Sequence, residues 1–293
     1  MQLLTLKIFC DLVELGSFSQ AAKKNGITQS AVSQQISALE ERHGVSFFER
    51  GKKKFSVTPE GRIFEQAARE MLEIYHAIDS RISSLADKVV GSLHVSTVYS
   101  IGLHVLPANL KAFRAVHPEV TVKVDYKRSP RVYEDVLVGR VDLGLVSFPR
   151  TGGGINADIF DEDEMVVVCS PGHRLAKKIK LKLTDLQGES FVAFGPDTPT
   201  SKAIDHALRE HHVTFAQEHD FDDIETVKRA VEVAGVVSIV PRRTVEKEVK
   251  EGRLCAIKVA GANLKRPLGI IRKQGKVTSP ALREFMKILL ARK

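Results

Sequence analysis

The chain has 293 residues, 43% of them hydrophobic, and a formal net charge of +8, so it is long enough to form more than one domain. No apolar run approaches the ~18 residues that a membrane-spanning helix needs and no signal-peptide pattern opens the sequence, so we expect a cytoplasmic protein without a membrane partner. Cys10, Cys169 and Cys255 lie far apart, mostly among apolar residues, which is typical of reduced core thiols.

A pair of short helices around a tight turn is predicted near the N-terminus. The Asn25–Gly26 pair supplies the positive φ that a sharp helix exit requires, and Thr28 supplies an oxygen that caps a new helix. In that second helix, apolar residues recur at steps of four and three from Val32 to Leu39, so they form one narrow stripe facing a core. This spacing predicts a helix-turn-helix.

The outward face of the second helix carries hydroxyl and amide side chains instead of the Lys and Glu that are usual on a solvated helix. Such groups suit base edges and phosphates, and each glutamine can pair with an adenine through two hydrogen bonds. The alternative is an ordinary surface helix in a helical bundle. We predict that this face contacts double-stranded DNA through Thr28, Gln29, Ser30, Ser33 and Gln34.

A basic loop follows the helix and lies between two apolar segments. Phe48 ends the first segment, while Phe55 and Val57 alternate as a short returning strand, which predicts a β-hairpin wing. A solvated loop is the alternative, but beside a DNA-reading helix the positive charges favour contact with phosphates. The predicted phosphate contacts are Arg50, Lys52, Lys53 and Lys54.

A long helix is predicted after the wing, beginning at Thr58 and Pro59. Its apolar residues alternate at steps of four and three, which is the spacing of a coiled-coil seam. The alternative is packing against its own domain. We favour dimerisation, because a two-fold dimer presents two DNA-reading helices to two half-sites. The seam residues are Phe64, Ala68, Met71, Tyr75, Ile78, Ile82 and Leu85.

The rest of the chain alternates apolar strands with helical patterns, which predicts βαβ units with parallel sheet. The strands are SLHVSTV, VTVKVDY, VDLGLVSF, MVVVCS, FVAFG, VVSIV, LCAIKV and PLGIIRK. In such sheets, ligands bind beyond the carboxyl ends of the strands. Polar residues fall at these places, although helix capping is the alternative role for each Ser or Thr. The residues are Tyr99, Ser100, Ser129, Ser147, Arg150, Thr198, Thr200 and Ser201.

The segment ITQSAVSQQISALEERHGVSFFER closely resembles the LysR-type transcriptional regulators of bacteria, as do the opening helix LLTLKIFCDLVELGSFSQAA and the TPEG that follows the wing. These motifs span roughly the first 60 residues. The sequence departs from the family at Ser30, where Pro is common, at Gln34, where Arg is frequent, and in the wing, where Lys replaces Arg. The operator bases therefore do not carry over.

The resemblance implies a winged helix-turn-helix over residues 1–58, a linker and dimerisation helix over 59–88, and a two-lobed α/β effector domain like the periplasmic binding proteins. Its first lobe comprises 89–161 and 266–293, its second lobe comprises 162–265, and the crossovers lie near Asp161 and Arg266. The resemblance also implies a dimer of dimers and RNA polymerase as a further partner.

The resemblance also matches Ser100, Ser129, Thr200 and Ser201 to positions where the family holds its small effector. Basic residues nearby favour an anion carrying carboxylate, phosphate or sulfate; these are Arg128, Arg131, Arg150 and Lys202.

Other functions find little support in the sequence. No catalytic motif or dinucleotide-binding fingerprint is present, and the adjacent histidines His211 and His212 face different ways on a helix, so we expect no enzyme activity, cofactor or metal. Two rivals remain. A solute-binding receptor would bind ligand without DNA, and an architectural protein would bind DNA without base preference or effector.

Overall fold

The computed structural model describes residues 2–49, 55–84, 89–262 and 264–291, and leaves undescribed the side chains of 73, 76, 77, 79–84, 217 and 218. The chain divides into two compact units. The first spans Met1–Val89 with two short segments, Val138–Arg140 and Val277–Pro280, and the second comprises the remainder. Among the described helices, none is long and apolar enough to cross a membrane.

The first unit is helical. Its helices are α1 (Leu3–Leu15), α2 (Phe18–Asn25), α3 (Gln29–His43) and α4 (Pro59–Ser84). Phe9 of α1 is fully buried at the centre, with its ring 5.4 Å from that of Phe47, 5.3 Å from Phe48 and 4.7 Å from Phe64. One aromatic cluster thus holds α1, α4 and the chain after α3 together, because rings at these distances add to the burial of their apolar area.

The predicted turn between α2 and α3 is confirmed. Gly26 has a φ of 66° and follows α2, and the side chain of Thr28 accepts a hydrogen bond of 3.2 Å from the amide of Ala31. The apolar stripe from Val32 to Leu39 packs into the core.

The start of α4 is tied to the backbone that follows α3. Thr58 Oγ1 accepts from the Gly61 amide at 3.0 Å and donates to the Ser46 carbonyl at 2.8 Å. A Cβ atom on Gly61 would lie 2.3 Å from the carbonyl oxygen of Phe47, so only glycine permits this approach. The TPEG motif therefore fixes how α4 leaves the unit.

The first two residues of the predicted seam pack inside the unit. Ala68 lies with Leu6 and Cys10 in a small core, and Phe64 packs against this core and the aromatic cluster. We predicted both for a contact with a second chain, but α1 of the same chain covers them. Of the predicted seam residues whose side chains are described, those that are exposed begin at Met71.

The second unit alternates strands and helices. The first lobe contains β1 (Gly91–Thr97), α5 (Tyr99–His104), α6 (Leu106–Val116), β2 (Val120–Tyr126), α7 (Ser129–Leu137) and β3 (Leu143–Ser147). The strand β4 (Ile155–Cys169) leads into the second lobe, with β5 (Lys180–Lys182), β6 (Ser190–Phe194), α8 (Pro199–Glu210), β7 (Ala216–Phe221), α9 (Ile224–Ala234), β8 (Ser238–Pro241), α10 (Glu246–Lys250) and β9 (Cys255–Ala260). The strand β10 (Lys265–Lys273) and α11 (Pro280–Leu290) then return to the first lobe.

β6 and β7 form a separate parallel pair, but the main sheet is mixed, whereas the alternation predicted parallel strands. Its order is β2-β1-β3-β10-β4-β9-β5, with β8 also paired to β4. β1 is parallel to β2 and β3, but β10 runs antiparallel to β3 and β4, because it returns from the other lobe. The predicted crossover residues Asp161 and Arg266 lie on β4 and β10, and Arg266 pairs in register with Asp163.

The carboxylate of Asp11 joins α1 to the turn after α2. It accepts hydrogen bonds from Asn25 Nδ2 at 2.8 Å and Lys7 Nζ at 3.2 Å, and Lys24 Nζ lies 2.7 Å away. Burial by itself raises the pKa of Asp11, but the hydrogen bonds from Lys24, Asn25 and Lys7 outweigh burial, and the pKa lies below its ordinary value.

We predict that Asp11→Asn lowers the free energy of unfolding at neutral pH by roughly 1–3 kcal/mol, since a buried hydrogen-bonded charge is lost. A carboxyl whose pKa is depressed by folding stabilises the protein above its unfolded pKa of about 3.9 and loses this effect as the pH falls through the folded value. Urea unfolding followed by circular dichroism should therefore show the free energies of unfolding of the wild type and the variant converging as the pH falls below the pKa of Asp11 in the folded protein. Glu41→Gln, at an exposed carboxylate on α3, is the control. A deficit that persists at low pH would contradict the assignment.

Candidate functional site

The exposed face of α3 carries the five residues predicted to contact DNA. Thr28, Gln29, Ser30 and Gln34 are exposed, and Ser33 is half-buried. Two hydrogen bonds order this face: Ser19 Oγ donates to Gln29 Oε1 at 2.7 Å, and the hydroxyls of Thr28 and Ser30 are 3.0 Å apart. The N-terminal half of α3 therefore presents hydroxyl and amide groups at the end that also carries the positive helix dipole.

Only the base of the predicted wing lies within the described residues. Phe48 and Val57 form an antiparallel bridge, and the amide of Glu49 donates to the Ser56 carbonyl at 3.1 Å. The buried carboxylate of Glu40 on α3 accepts from the amide of Phe47 at 2.7 Å, which ties this hairpin base to α3. The predicted phosphate contacts Arg50, Lys52, Lys53 and Lys54 lie outside the described residues.

A stripe of exposed apolar side chains runs along α4 beyond the core of the first unit. It comprises Met71, Ile74, Tyr75 and Ile78, each 43–55% exposed. Two predicted seam residues remain. Ile82 lies on α4, but its side chain is outside the described residues, and Leu85 is outside them altogether.

A cleft of about 650 Å³ lies between the lobes of the second unit. The first residues of four helices line this cleft. They are Tyr99 of α5, Ser129 of α7, Pro199 of α8 and Ile224 of α9. The free N–H groups and the dipole at a helix N-terminus favour negative charge.

Six of the eight polar residues predicted at strand ends line this cleft: Tyr99, Ser100, Ser129, Ser147, Thr198 and Thr200. The other two are placed elsewhere. Ser201 is buried within α8, where its hydroxyl donates to the Phe194 carbonyl at 3.0 Å, so it stabilises the helix start. Arg150 is exposed away from the lining, and its backbone amide donates to the Tyr133 hydroxyl at 2.8 Å.

Arg266 forms part of the cleft wall, and the sequence indicated it only as a crossover residue. It is 3% exposed and donates to three groups: Asp163 Oδ2 at 3.0 Å, Thr200 Oγ1 at 3.2 Å and Ser100 Oγ at 2.6 Å. Burial raises the pKa of Asp163 while the guanidinium of Arg266 opposes that shift. Its position immediately before the apolar segment PLGIIRK was the only sequence signal for this residue.

The cationic side chains of the cleft are each paired with carboxylates. Arg128 lies 2.5 Å from Asp197 and 3.2 Å from Asp222 on the opposite lobe, and Lys127 lies 2.7 Å from Asp135. The cleft is therefore not an open cationic surface. The groups that can donate hydrogen bonds to an anion in the cleft are the backbone N–H groups at the helix N-termini and the side-chain hydroxyls. A guanidinium N–H can also donate if its ion pair with a carboxylate opens.

A metal site is not evident in the part of the chain that the structure describes, where no group of three or more His, Cys, Asp and Glu side chains has a metal-binding arrangement.

Two family models match the chain. Residues 3–62 match the bacterial regulatory helix-turn-helix protein, lysR family, and residues 86–293 match the LysR substrate binding domain. A curated relative, the HTH-type transcriptional regulator CysL of Bacillus subtilis, is 28% identical over 91% of this chain and 89% of its own length.

Two solved structures have similar folds. Full-length CbnR in complex with its target DNA has a TM-score of 0.69 at 22% identity, covering 99% of each chain. The effector-binding domain of QuiR in complex with shikimate has a TM-score of 0.63 at 20% identity, covering 69% of this chain and 96% of that domain. These likenesses confirm the predicted fold class of helix-turn-helix, linker helix and two-lobed effector domain.

Proposed function

Because the chain belongs to the LysR family of DNA-binding transcriptional regulators, we propose that it reads an operator through α3 and binds a small anionic effector in the cleft of its second unit. The family membership confirms the resemblance drawn from the sequence. The observation that carries the effector proposal is the meeting of four helix N-termini at one cleft.

Base reading is assigned to the exposed face of α3 because its side chains match the donor and acceptor pattern of base edges. Gln29 and Gln34 are exposed there, and Thr28, Ser30 and Ser33 surround them. The basic wing tip is proposed to contact phosphates, which supplies affinity without base preference. The fold of CbnR, which has been solved on its target DNA, supports this use of the N-terminal unit.

We predict that Gln29→Ala weakens operator binding by roughly 5- to 150-fold, since a bidentate base contact discriminates by about 1–3 kcal/mol. Binding to random DNA of equal length should change little. The matched control is Gln66→Ala, which removes an exposed glutamine from α4. Gel shifts at one salt concentration give both ratios. Equal losses on operator and random DNA would contradict a base-reading role for Gln29.

The effector is assigned to the cleft because it is enclosed by two lobes and lined by hydroxyls at helix starts. An anion there accepts hydrogen bonds from the N-termini of α7 and α8, where a partial positive charge of the helix dipole adds to the attraction. Closure of the lobes around it requires different effector affinities in the open and closed arrangements, which is the condition for ligand control of DNA binding.

We predict that calorimetry with a panel of small carboxylates, phosphates, sulfate and neutral sugars finds binding among the anions. Ser129→Ala should weaken the best binder by roughly 10- to 150-fold, since a hydrogen bond to a charged group contributes about 1.5–3 kcal/mol. Ser92→Ala, an exposed serine on β1, should leave the affinity unchanged. Binding by neutral compounds alone would overturn the anionic assignment.

Self-association is assigned to the exposed apolar stripe of α4, because apolar side chains at helical spacing lose unfavourable contact with water when two helices pair. Met71, Tyr75 and Ile78 continue the predicted seam spacing. A dimer of dimers follows from the family resemblance, with two such pairs placing four DNA-reading units on one control region.

We predict that the wild-type chain sediments as a dimer or larger species and that Ile78→Glu shifts it toward monomer at the same concentration. The control is Ile179→Glu in the second unit, at a residue that is 92% exposed. Both variants place one charge at an exposed isoleucine, so only the α4 variant should change the sedimentation coefficient. A wild-type monomer, or an unchanged Ile78→Glu, would contradict the seam.

The remaining assignments follow from a regulator of this kind. RNA polymerase is the proposed partner at the promoter, the cytoplasm is the proposed location, and no enzyme activity is proposed. The two rivals are separated by a gel shift against DNA upstream of the gene, with and without anionic metabolites. A receptor gives no shift, and an architectural protein gives a shift that neither base sequence nor ligand changes.

A further inference from the structure

Two cysteines that are 86 residues apart in sequence lie opposite each other in the sheet of the second unit. Cys169 ends β4, Cys255 begins β9, and they are register partners in the antiparallel pairing of these strands. Directly opposite residues have Cβ atoms about 4.5–5.5 Å apart and side chains on the same face. A disulfide requires a Cβ separation of about 3.5–4.5 Å. The strands need to close by roughly one ångström at this pair.

The position of the pair makes such closure feasible. It is the last pair of the β4–β9 ladder, so the backbone is constrained by paired residues on one side only. Cys169 is fully buried and Cys255 is partly exposed. Cys255 is therefore the more exposed member of the pair, and Cys169 lies directly opposite it.

We propose that Cys169 and Cys255 are an oxidisable dithiol, which a hydroperoxide converts into an intrachain disulfide within the second lobe. Cys255 reacts first because it is the less buried of the two residues. Burial raises the pKa of the Cys169 thiol to about 12, and the nearby Cys255 and Glu189 add to this, so Cys169 is the resolving group and not the first nucleophile.

The two steps balance. The Cys255 thiolate attacks one peroxide oxygen, the O–O bond breaks, and the products are the sulfenic acid of Cys255 and an alcohol, or water when the oxidant is hydrogen peroxide. The sulfur of Cys169 then attacks the sulfenic sulfur as its proton leaves, and hydroxide departs and takes up a proton to form water. The two thiols lose two electrons and two protons, and the peroxide is reduced.

The third cysteine is an internal reference. Cys10 packs in the first unit with Leu6 and Ala68, and burial raises its pKa to about 11. Cys10 is buried like Cys169, but the other residues of its core are Leu6 and Ala68, whereas Cys169 lies opposite Cys255. If peroxide oxidises Cys169 and not Cys10, the difference is due to Cys255.

The test treats the full-length reduced chain with hydrogen peroxide, quenches with an alkylating agent and maps the peptides by mass spectrometry without reductant. The expected main product is a Cys169–Cys255 disulfide that dithiothreitol reverses, with Cys10 alkylated. Cys10→Ala should form the same product. Cys169→Ala should instead leave a sulfenic acid on Cys255 that a dimedone probe labels.

Three results would overturn the proposal. They are preferential oxidation of Cys10, conversion of Cys255 to sulfinic acid without a disulfide in the wild type, and three unmodified thiols at a peroxide concentration that oxidises the urea-unfolded chain. Circular dichroism of Cys169→Ala and Cys255→Ser establishes that each variant is folded before its chemistry is compared.

Discussion

The guanidinium of Arg266 is buried at the crossover between the two lobes, and a buried charge is tolerated only when it is paired and hydrogen-bonded. Its partners come from three places: Ser100 at the start of α5 in the first lobe, Thr200 at the start of α8 in the second, and Asp163 on the neighbouring crossover strand. The cost of leaving any donor unsatisfied holds all three in place. One side chain thus positions both walls of the effector cleft.

The first unit uses buried carboxylates in the same way. Asp11 holds the turn that precedes α3, and Glu40 holds the hairpin base that follows it. The cluster around Phe9 stabilises the unit by burying apolar surface. Apolar packing is less directional than hydrogen bonding. The orientation of α3 relative to the turn before it and the hairpin base after it therefore rests on these polar contacts, while the cohesion of the unit rests on the aromatic rings.

The helix-turn-helix could be predicted from the sequence because its signals are local: the glycine exit at Gly26, the cap at Thr28 and the apolar spacing of α3 depend on residues a few positions apart. The cleft could be predicted only in outline, since Arg266 and Ser100 are 166 residues apart and nothing in either segment specifies the other. The heptad spacing of α4 likewise does not specify which element packs against its apolar side chains. In the structure, α1 of the same chain covers Phe64 and Ala68. Strand register, which places Cys169 opposite Cys255, is equally a property of the folded sheet.

A double-mutant cycle on Arg266 and Asp163 tests most directly whether this buried pair organises the cleft. Urea unfolding would be measured for the wild type, Arg266→Met, Asp163→Leu and the double variant. The account predicts that each single change costs roughly 3–5 kcal/mol, because the remaining buried charge loses its hydrogen-bonded partner, and that the double variant costs less than the sum by about 1–3 kcal/mol. Additive losses would show that the two charges act independently and would contradict the account.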